Sequence, residues 1–184
     1  MSSRDEKLEF MKKVTILVDT REKKNEHIIE ALDNLGVMHE GRKLDYGDYS
    51  FTIENRDFSR SCIIERKADV DELYGNITAD RQRIEKEFDT IARNAVQCRL
   101  LIENVSGWVS LRGYTLPEIT ADKQGRKVRN IGETVHNTLK SWQCGNRYGF
   151  GVEFSPDKQH SALMMLDIFF WFWRNYKQQT APRR

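Results

Sequence analysis

With 184 residues, 39% apolar and 32% charged, the chain has the composition of one ordinary globular domain, which excludes a disordered or collagen-like protein. Thirty basic side chains against 28 acidic ones leave a net charge near +2, which neither announces a polyanion-coating protein nor excludes a local basic groove. Cys62, Cys98 and Cys144 are odd in number and far apart, so they support neither a disulfide framework nor a paired-thiolate zinc site; an intracellular home, in cytoplasm, nucleoid or nucleus, is expected.

In chain order, residues 1–13 are polar and charged without a long apolar core, and read as an N-terminal polar extension with no secretory signal. Residues 14–18 form a β-rich apolar run ending in Asp19. Ile28, Ile29, Leu32 and Leu35 recur at helical spacing over 25–35, and Gly36 supplies a helix stop. Strand patterns follow over 37–44, 49–53 and 61–66, with strict alternation at Tyr49, Phe51 and Ile53. The turn chemistry of Asp45-Tyr46-Gly47 and Asn55-Arg56-Asp57 between them predicts a three-stranded meander.

A short helix over 69–76 comes next, then a longer one over 79–95 with Ile84, Phe88, Ile91 and Ala95 on one face. Residues 99–103 make a near-continuous apolar strand, as expected where a sheet is covered on both faces. The stretch 106–132 mixes Gly107, Gly113, Pro117 and Gly125 with Lys123, Arg126, Lys127 and Arg129, and predicts a long loop. A helix over 133–142, a strand over 150–154 and a final helix from Pro156-Asp157 to about 176 complete the order, leaving 178–184 as a tail. That alternation argues for an α/β domain over 14–177, a mixed central sheet flanked by helices. The apolar run 162–173 is interrupted by Asp167 and is too short for a bilayer span of about 20 residues, so no membrane partner is expected.

Three polar clusters fall at strand ends, where an open sheet exposes its functional rim: Asp19-Thr20-Arg21-Glu22, Gly47-Asp48-Tyr49 and Glu65-Arg66-Lys67. On an extended backbone Glu65 and Lys67 share a face while Arg66 points away, so a carboxylate and an ammonium stand side by side. Asp48 brings a second carboxylate, and two hard oxygen ligands suit magnesium or manganese, which keep waters and take further oxygens from a phosphate. Taken alone, Glu65-Arg66-Lys67 is an ordinary solvated strand end. Together with Asp19 and Asp48 it forms a joint pattern that a solvated surface has no reason to produce.

These residues resemble the XPF family of structure-selective DNA endonucleases, a branch of the PD-(D/E)XK restriction-like nucleases. The family's Val-Asp-x-Arg-Glu stands as Val18-Asp19-Thr20-Arg21-Glu22 and its Gly-Asp-Tyr as Gly47-Asp48-Tyr49. Its Glu-Arg-Lys with a following Asp stands as Glu65-Arg66-Lys67 and Asp71, and its later apolar strand ending in Glu as Leu100-Leu101-Ile102-Glu103. The likeness covers 14–103 well and the rest weakly. It implies a restriction-endonuclease-like fold and a metal-dependent DNA endonuclease acting on branched or flapped DNA. Asp48 and Glu65 would bind the metal with the Arg66 carbonyl, and Lys67 would orient or activate the attacking water. Asp19 would complete the acidic cluster through a water or a second ion, Arg21 and Glu22 would brace the site or touch phosphate, and Asp71 would hold Arg66 or cap the next helix. The family's helical Arg followed four positions later by Gln is read as Arg81 followed by Glu85, and only Arg81 is carried over as a DNA contact. A lapsed, DNA-binding or scaffolding member of the same fold is the alternative, and an accessory protein that delivers the domain to DNA stays open.

The basic residues Lys123, Arg126, Lys127 and Arg129 suit phosphate contacts, or simply a soluble loop. The last helix is apolar on every face, which suggests a homodimer through Leu166, Phe169, Phe170 and Trp173, in line with the C-terminal helices through which XPF-family domains pair. His27, His39, His136 and His160 share no ligand spacing, and no P-loop, dinucleotide fingerprint or nucleophile elbow is present.

Overall fold

Strand β1 (Val14–Asp19) is buried along nearly its whole length, which suits the interior of a sheet. In the computed structural model, which describes residues 2–94, 97–115, 130–145 and 147–181, it lies between β2 (Met38–Arg42) and β3 (Tyr49–Ile53). The order continues through β5 (Cys62–Lys67) and β6 (Gln97–Ile102) to β7 (Gly151–Phe154), with the two-residue β4 (Arg56–Asp57) on the side of β3. β1 pairs parallel with β2 and antiparallel with β3, β3 antiparallel with β5, and β5, β6 and β7 run parallel.

The expected meander is therefore mis-threaded. Residues 37–44 and 49–53 are neighbours in sequence, but β1 sits between them. The Asp45-Tyr46-Gly47 segment does not close a hairpin; it crosses the end of β1, and Asp48 then joins both sides, accepting from the Asp19 N–H at 2.8 Å and donating to the Ile64 carbonyl at 2.9 Å. The true hairpin joins β3 to β4 through Glu54 and Asn55, both at positive φ as a tight two-residue turn requires.

Helices cover both faces. On one, α1 (Ser3–Lys13), α2 (Glu26–Asn34) and α7 (Ser161–Thr180) pack on Ile16, Phe51 and Ile64. On the other, α3 (Val70–Thr78), α4 (Arg81–Arg93), the short α5 (Trp108–Arg112) and α6 (Ile131–Cys144) pack on Ile63, Leu100 and Ile102. Among the described residues no helix is long and apolar enough to cross a membrane.

Residues 1–13 are more than a polar extension. Ser2 and Asp5 form a reciprocal capping box, and α1 buries Phe10 edge-on between Phe51 and Phe170, at ring separations of 6.0 and 5.8 Å. The stretch 106–132 contains α5 and the start of α6; Lys123, Arg126, Lys127 and Arg129 lie outside the described residues. The interface assigned to Leu166, Phe169, Phe170 and Trp173 is corrected too. All four are buried in the chain's own core, Phe169 tilted on Phe51 at 4.9 Å and Trp173 edge-on to Phe58 at 5.6 Å. They form the inner stripe of α7, which β1, β3 and β5 cover, so they are closed to a partner.

If α1 belongs to the core, Phe10→Ala lowers the unfolding free energy by about 3 kcal/mol, read from the midpoint of urea denaturation. A shift under about 0.5 kcal/mol, the size of an ordinary surface change, would return α1 to the status of an appendage.

Candidate active site

The registers Val18↔Tyr49 and Tyr49↔Ile64 set Asp19, Asp48 and Glu65 side by side on three adjacent strands. Their side chains share the face that α3 and α4 cover, at strand spacings of about 4.8 Å. Gly47 makes the approach of β3 to β5 possible. Its φ is +64°, and a Cβ there would meet the Ile64 carbonyl oxygen and the Ile63 side chain at 3.0 Å.

The three carboxylates differ in environment. Asp19 is spent within the protein: it accepts from the Arg21 backbone N–H at 2.7 Å, from Arg21 Nε and Nη2 at 2.8 and 2.9 Å, and from the Leu44 N–H at 2.7 Å. Burial opposes its charge, but Arg21 and the two backbone donors outweigh it and hold the carboxyl below its usual range. Asp48 is the opposite case. Burial, then the charges of Glu65 and Glu22, push its carboxyl well above the usual range, although the Arg66 N–H donates to Oδ2 at 2.7 Å.

Glu65 accepts from the Lys67 ammonium at 2.8 Å on the shared face of β5, and both are buried. Burial favours a neutral Lys67, but Glu65, Asp48 and Glu72 outweigh it and raise its pKa, which favours the ammonium. Arg66 points to the other face, where Nε donates to Glu22 at 2.6 Å and Nη1 to Glu103 at 2.8 Å. Glu22 thus sits behind the strand, away from the carboxylate row.

Asp71 neither holds Arg66 nor caps α3. Asp69 is the cap, accepting from the Glu72 N–H at 2.8 Å, while Asp71 accepts from the Tyr114 hydroxyl at 2.6 Å. Burial and then that contact push the Tyr114 phenol up to about 12. Arg81 is likewise turned from the row: it pairs with Glu85 at 2.9 Å and lies over the Trp142 ring. The apolar stripe Ile84-Phe88-Ile91 has two flanks, and the other one, Arg83 and Glu87, lines a hollow of about 260 Å³ with Asp45, Tyr46, Lys86 and Thr90. Burial and the nearby Glu65 charge raise the Glu87 carboxyl. Sequence reading missed Glu87 and Glu72. The signal for Glu87 was present, because i, i+4 spacing from Arg83 places it on the same flank.

Among the described residues no three His, Cys, Asp or Glu side chains gather as a ready-made metal cage. The donor set nonetheless fits a hard divalent ion, since magnesium is commonly held by one or two carboxylates, with waters and phosphate oxygens completing the shell. Asp48 and Glu65 are such a pair, and the burial and then the neighbouring carboxylate charges that raise Asp48 are what a cation would offset.

A model of the ERCC4 domain matches residues 18–168. The chain belongs to the ERCC4 domain family. The ERCC4 domain is that of the XPF-like DNA nucleases, and the mixed sheet flanked by helices is their fold. Two similar structures are XPF from Aeropyrum pernix, with TM-score 0.59, 18% identity and coverage of 90% of this chain and 68% of that one, and XPF from Aeropyrum pernix in complex with DNA, with TM-score 0.57, 18% identity and coverage of 91% and 74%. No curated protein matches the sequence.

The two aspartates predict opposite effects on stability. Asp19→Asn removes a charged acceptor of four hydrogen bonds and lowers stability by about 2 kcal/mol at pH 7. Because the Asp19 pKa is lowered, that difference is present above the ordinary carboxylate range and vanishes as pH falls through the folded value. Asp48→Asn removes a charge the fold disfavours and raises Tm by about 2 °C or more at pH 7. Calorimetric melting of both variants decides it; the same sign for both would contradict the electrostatic reading.

Proposed function

We propose that the domain is a magnesium- or manganese-dependent endonuclease that hydrolyses phosphodiester bonds in branched or flapped DNA. The observation that carries this reading is the buried Glu65–Lys67 pair beside Asp48. Its DNA substrate draws support from the similar Aeropyrum pernix domain seen in complex with DNA. Asp48, Glu65 and the Arg66 carbonyl would hold the metal, with Asp19 and its partner Arg21 closing the end of the row. The bound ion would neutralise phosphate oxygens and lower the pKa of water. Lys67, kept protonated by Glu65, Asp48 and Glu72, places a fixed positive charge where negative charge develops on the phosphate during attack. Glu65 holds that ammonium in place. Arg83 and Lys86 on α4 offer cations at the rim for flanking phosphates.

Labelled duplex, flap and four-way DNA, incubated with magnesium, manganese or chelator, should be cut only with metal and best at a junction. Lys67→Ala and Asp48→Asn each lower kcat by about 10²–10³-fold. Tight DNA binding without cutting in either metal would make the domain the lapsed, scaffolding relative instead.

We further propose that a second copy pairs along the outer flank of α7. Half-exposed Trp171 stands there with Met164, Ile168 and Phe172 beside Arg99 and Glu153, around a groove of about 450 Å³. Light scattering at micromolar concentration should give a dimer for the wild type and a monomer for Trp171→Asp; a wild-type monomer would remove the pairing.

A further inference from the structure

Glu103, the residue after β6, is fully buried and lies behind the carboxylate row. Its backbone N–H donates to the Lys67 carbonyl at 2.9 Å. One carboxylate oxygen accepts from Arg66 Nη1 at 2.8 Å, and the other meets His27 Nε2 at 2.8 Å. A carboxylate only accepts, so His27 donates from Nε2. Arg66 in turn donates to Glu22 at 2.6 Å and to the Lys23 carbonyl at 3.2 Å. A single buried guanidinium is thus gripped from the loop before α2 and from the end of β6. His27, on the first turn of α2 and partly exposed, is the outer end of the chain of contacts.

Both carboxylates bring burial and charge to Arg66; burial alone opposes the guanidinium, but Glu22 and Glu103 raise its pKa further. Buried ion groups of this kind add little net stability over apolar packing of equal volume. What this one controls is direction. Arg66 stands between Glu65 and Lys67 on one strand, so fixing its side chain on one face fixes the other two on the opposite face. Its backbone N–H holds Asp48 as well. All three groups of the proposed centre are therefore referenced to Arg66, and Arg66 to Glu103.

We propose that Glu103 and His27 are positioning residues for the catalytic centre, acting through Arg66. The inference rests on the nuclease reading above and extends it to a helix that carries no residue of the carboxylate row. Loss of groups that orient metal ligands typically costs 10–100-fold in metal affinity or activity. His27 lies at the periphery of the network, so its substitution spares the fold where Glu103 substitution endangers it.

The test uses the full chain with Glu103→Gln, His27→Phe and His27→Gln, measuring manganese affinity by titration calorimetry, kcat and KM on a flap substrate, and thermal melting. The proposal expects Glu103→Gln to lose about tenfold in kcat and in manganese affinity with KM for DNA unchanged. His27→Phe, which removes the donor to Glu103, should lose several-fold in both. His27→Gln, whose amide N–H reaches the same oxygen, should recover most of the loss, although both variants melt alike. Equal deficits in the two His27 variants, or manganese affinity and kcat within twofold of wild type in His27→Phe and Glu103→Gln, would overturn the proposal while leaving a cutting wild type as a nuclease. A wild type that neither binds manganese nor cuts would remove the nuclease reading and this inference with it.

Discussion

Asp48 stands beside Glu65 because Tyr49 is in register with Ile64, and the carboxylate row and the placing of Lys67 both follow from that pairing. A slip of one residue between β3 and β5 would send Asp48 to the opposite face and bury Tyr49 against α4. Several contacts prevent it: Asp48 bonds the Ile64 carbonyl, the Arg66 N–H bonds Asp48, and the buried Ser50 hydroxyl donates to the Cys62 carbonyl at 2.8 Å. Gly47 is the residue that lets β3 come this close. The register is thus written in backbone and side-chain polar contacts together with the packing of Tyr49, Phe51 and Ile53 into one core.

The same register creates the site's electrostatic tension. Asp48 and Glu65 crowd together with Glu87 near, against one ammonium, Lys67, on that face of β5. Burial first, and the shortage of positive charge after it, make Asp48 and Glu87 resist ionisation, while the same carboxylates keep the proton on Lys67. In the proposed function a divalent cation and its waters would answer that deficit, and an anionic phosphate would then answer the cation. Asp19 is outside this balance, because Arg21 and the Leu44 N–H already match it.

Much of this was legible in the sequence. Alternation over Glu65, Arg66 and Lys67 is a property of any strand, and the observed faces follow from it. The fold class followed from the order of helical and strand periods, since β5, β6 and β7 are joined by helical crossovers that make parallel pairs. The meander failed because turn residues report that a chain bends, not which strand it meets next; only the burial of β1 on both faces marks it as the insert. The α7 stripe was misassigned for a related reason. Because the helix is apolar on every face, Leu166, Phe169, Phe170 and Trp173 were assigned to a partner, but Phe10 of α1, Phe51 of β3 and Phe58 after β4 pack with that stripe in the chain's own core. The Asp71 assignment failed on direction: a helix rotates 100° per residue, so Asp69 instead of Asp71 caps α3, while Arg83 and Glu87 occupy a different flank of α4 from Arg81.

β5 serves two masters because its two faces carry different chemistry. Toward α3 and α4 it presents Glu65 and Lys67, which pair with each other at 2.8 Å and in the proposed function would turn their charge to a substrate. Toward α2 it presents Arg66, whose donors are consumed by Glu22, Glu103 and the Lys23 carbonyl. A side chain that is both reactive and mobile cannot aim, and a side chain that is rigidly satisfied cannot react. Alternation along a strand separates the two requirements by one residue, so in the proposed centre the face that would react is aimed by the face that would not. The exposed edge of the sheet could not do this, since solvent would satisfy Arg66 in many orientations; it needs β5 in the interior, between β3 and β6, which is where the topology puts it.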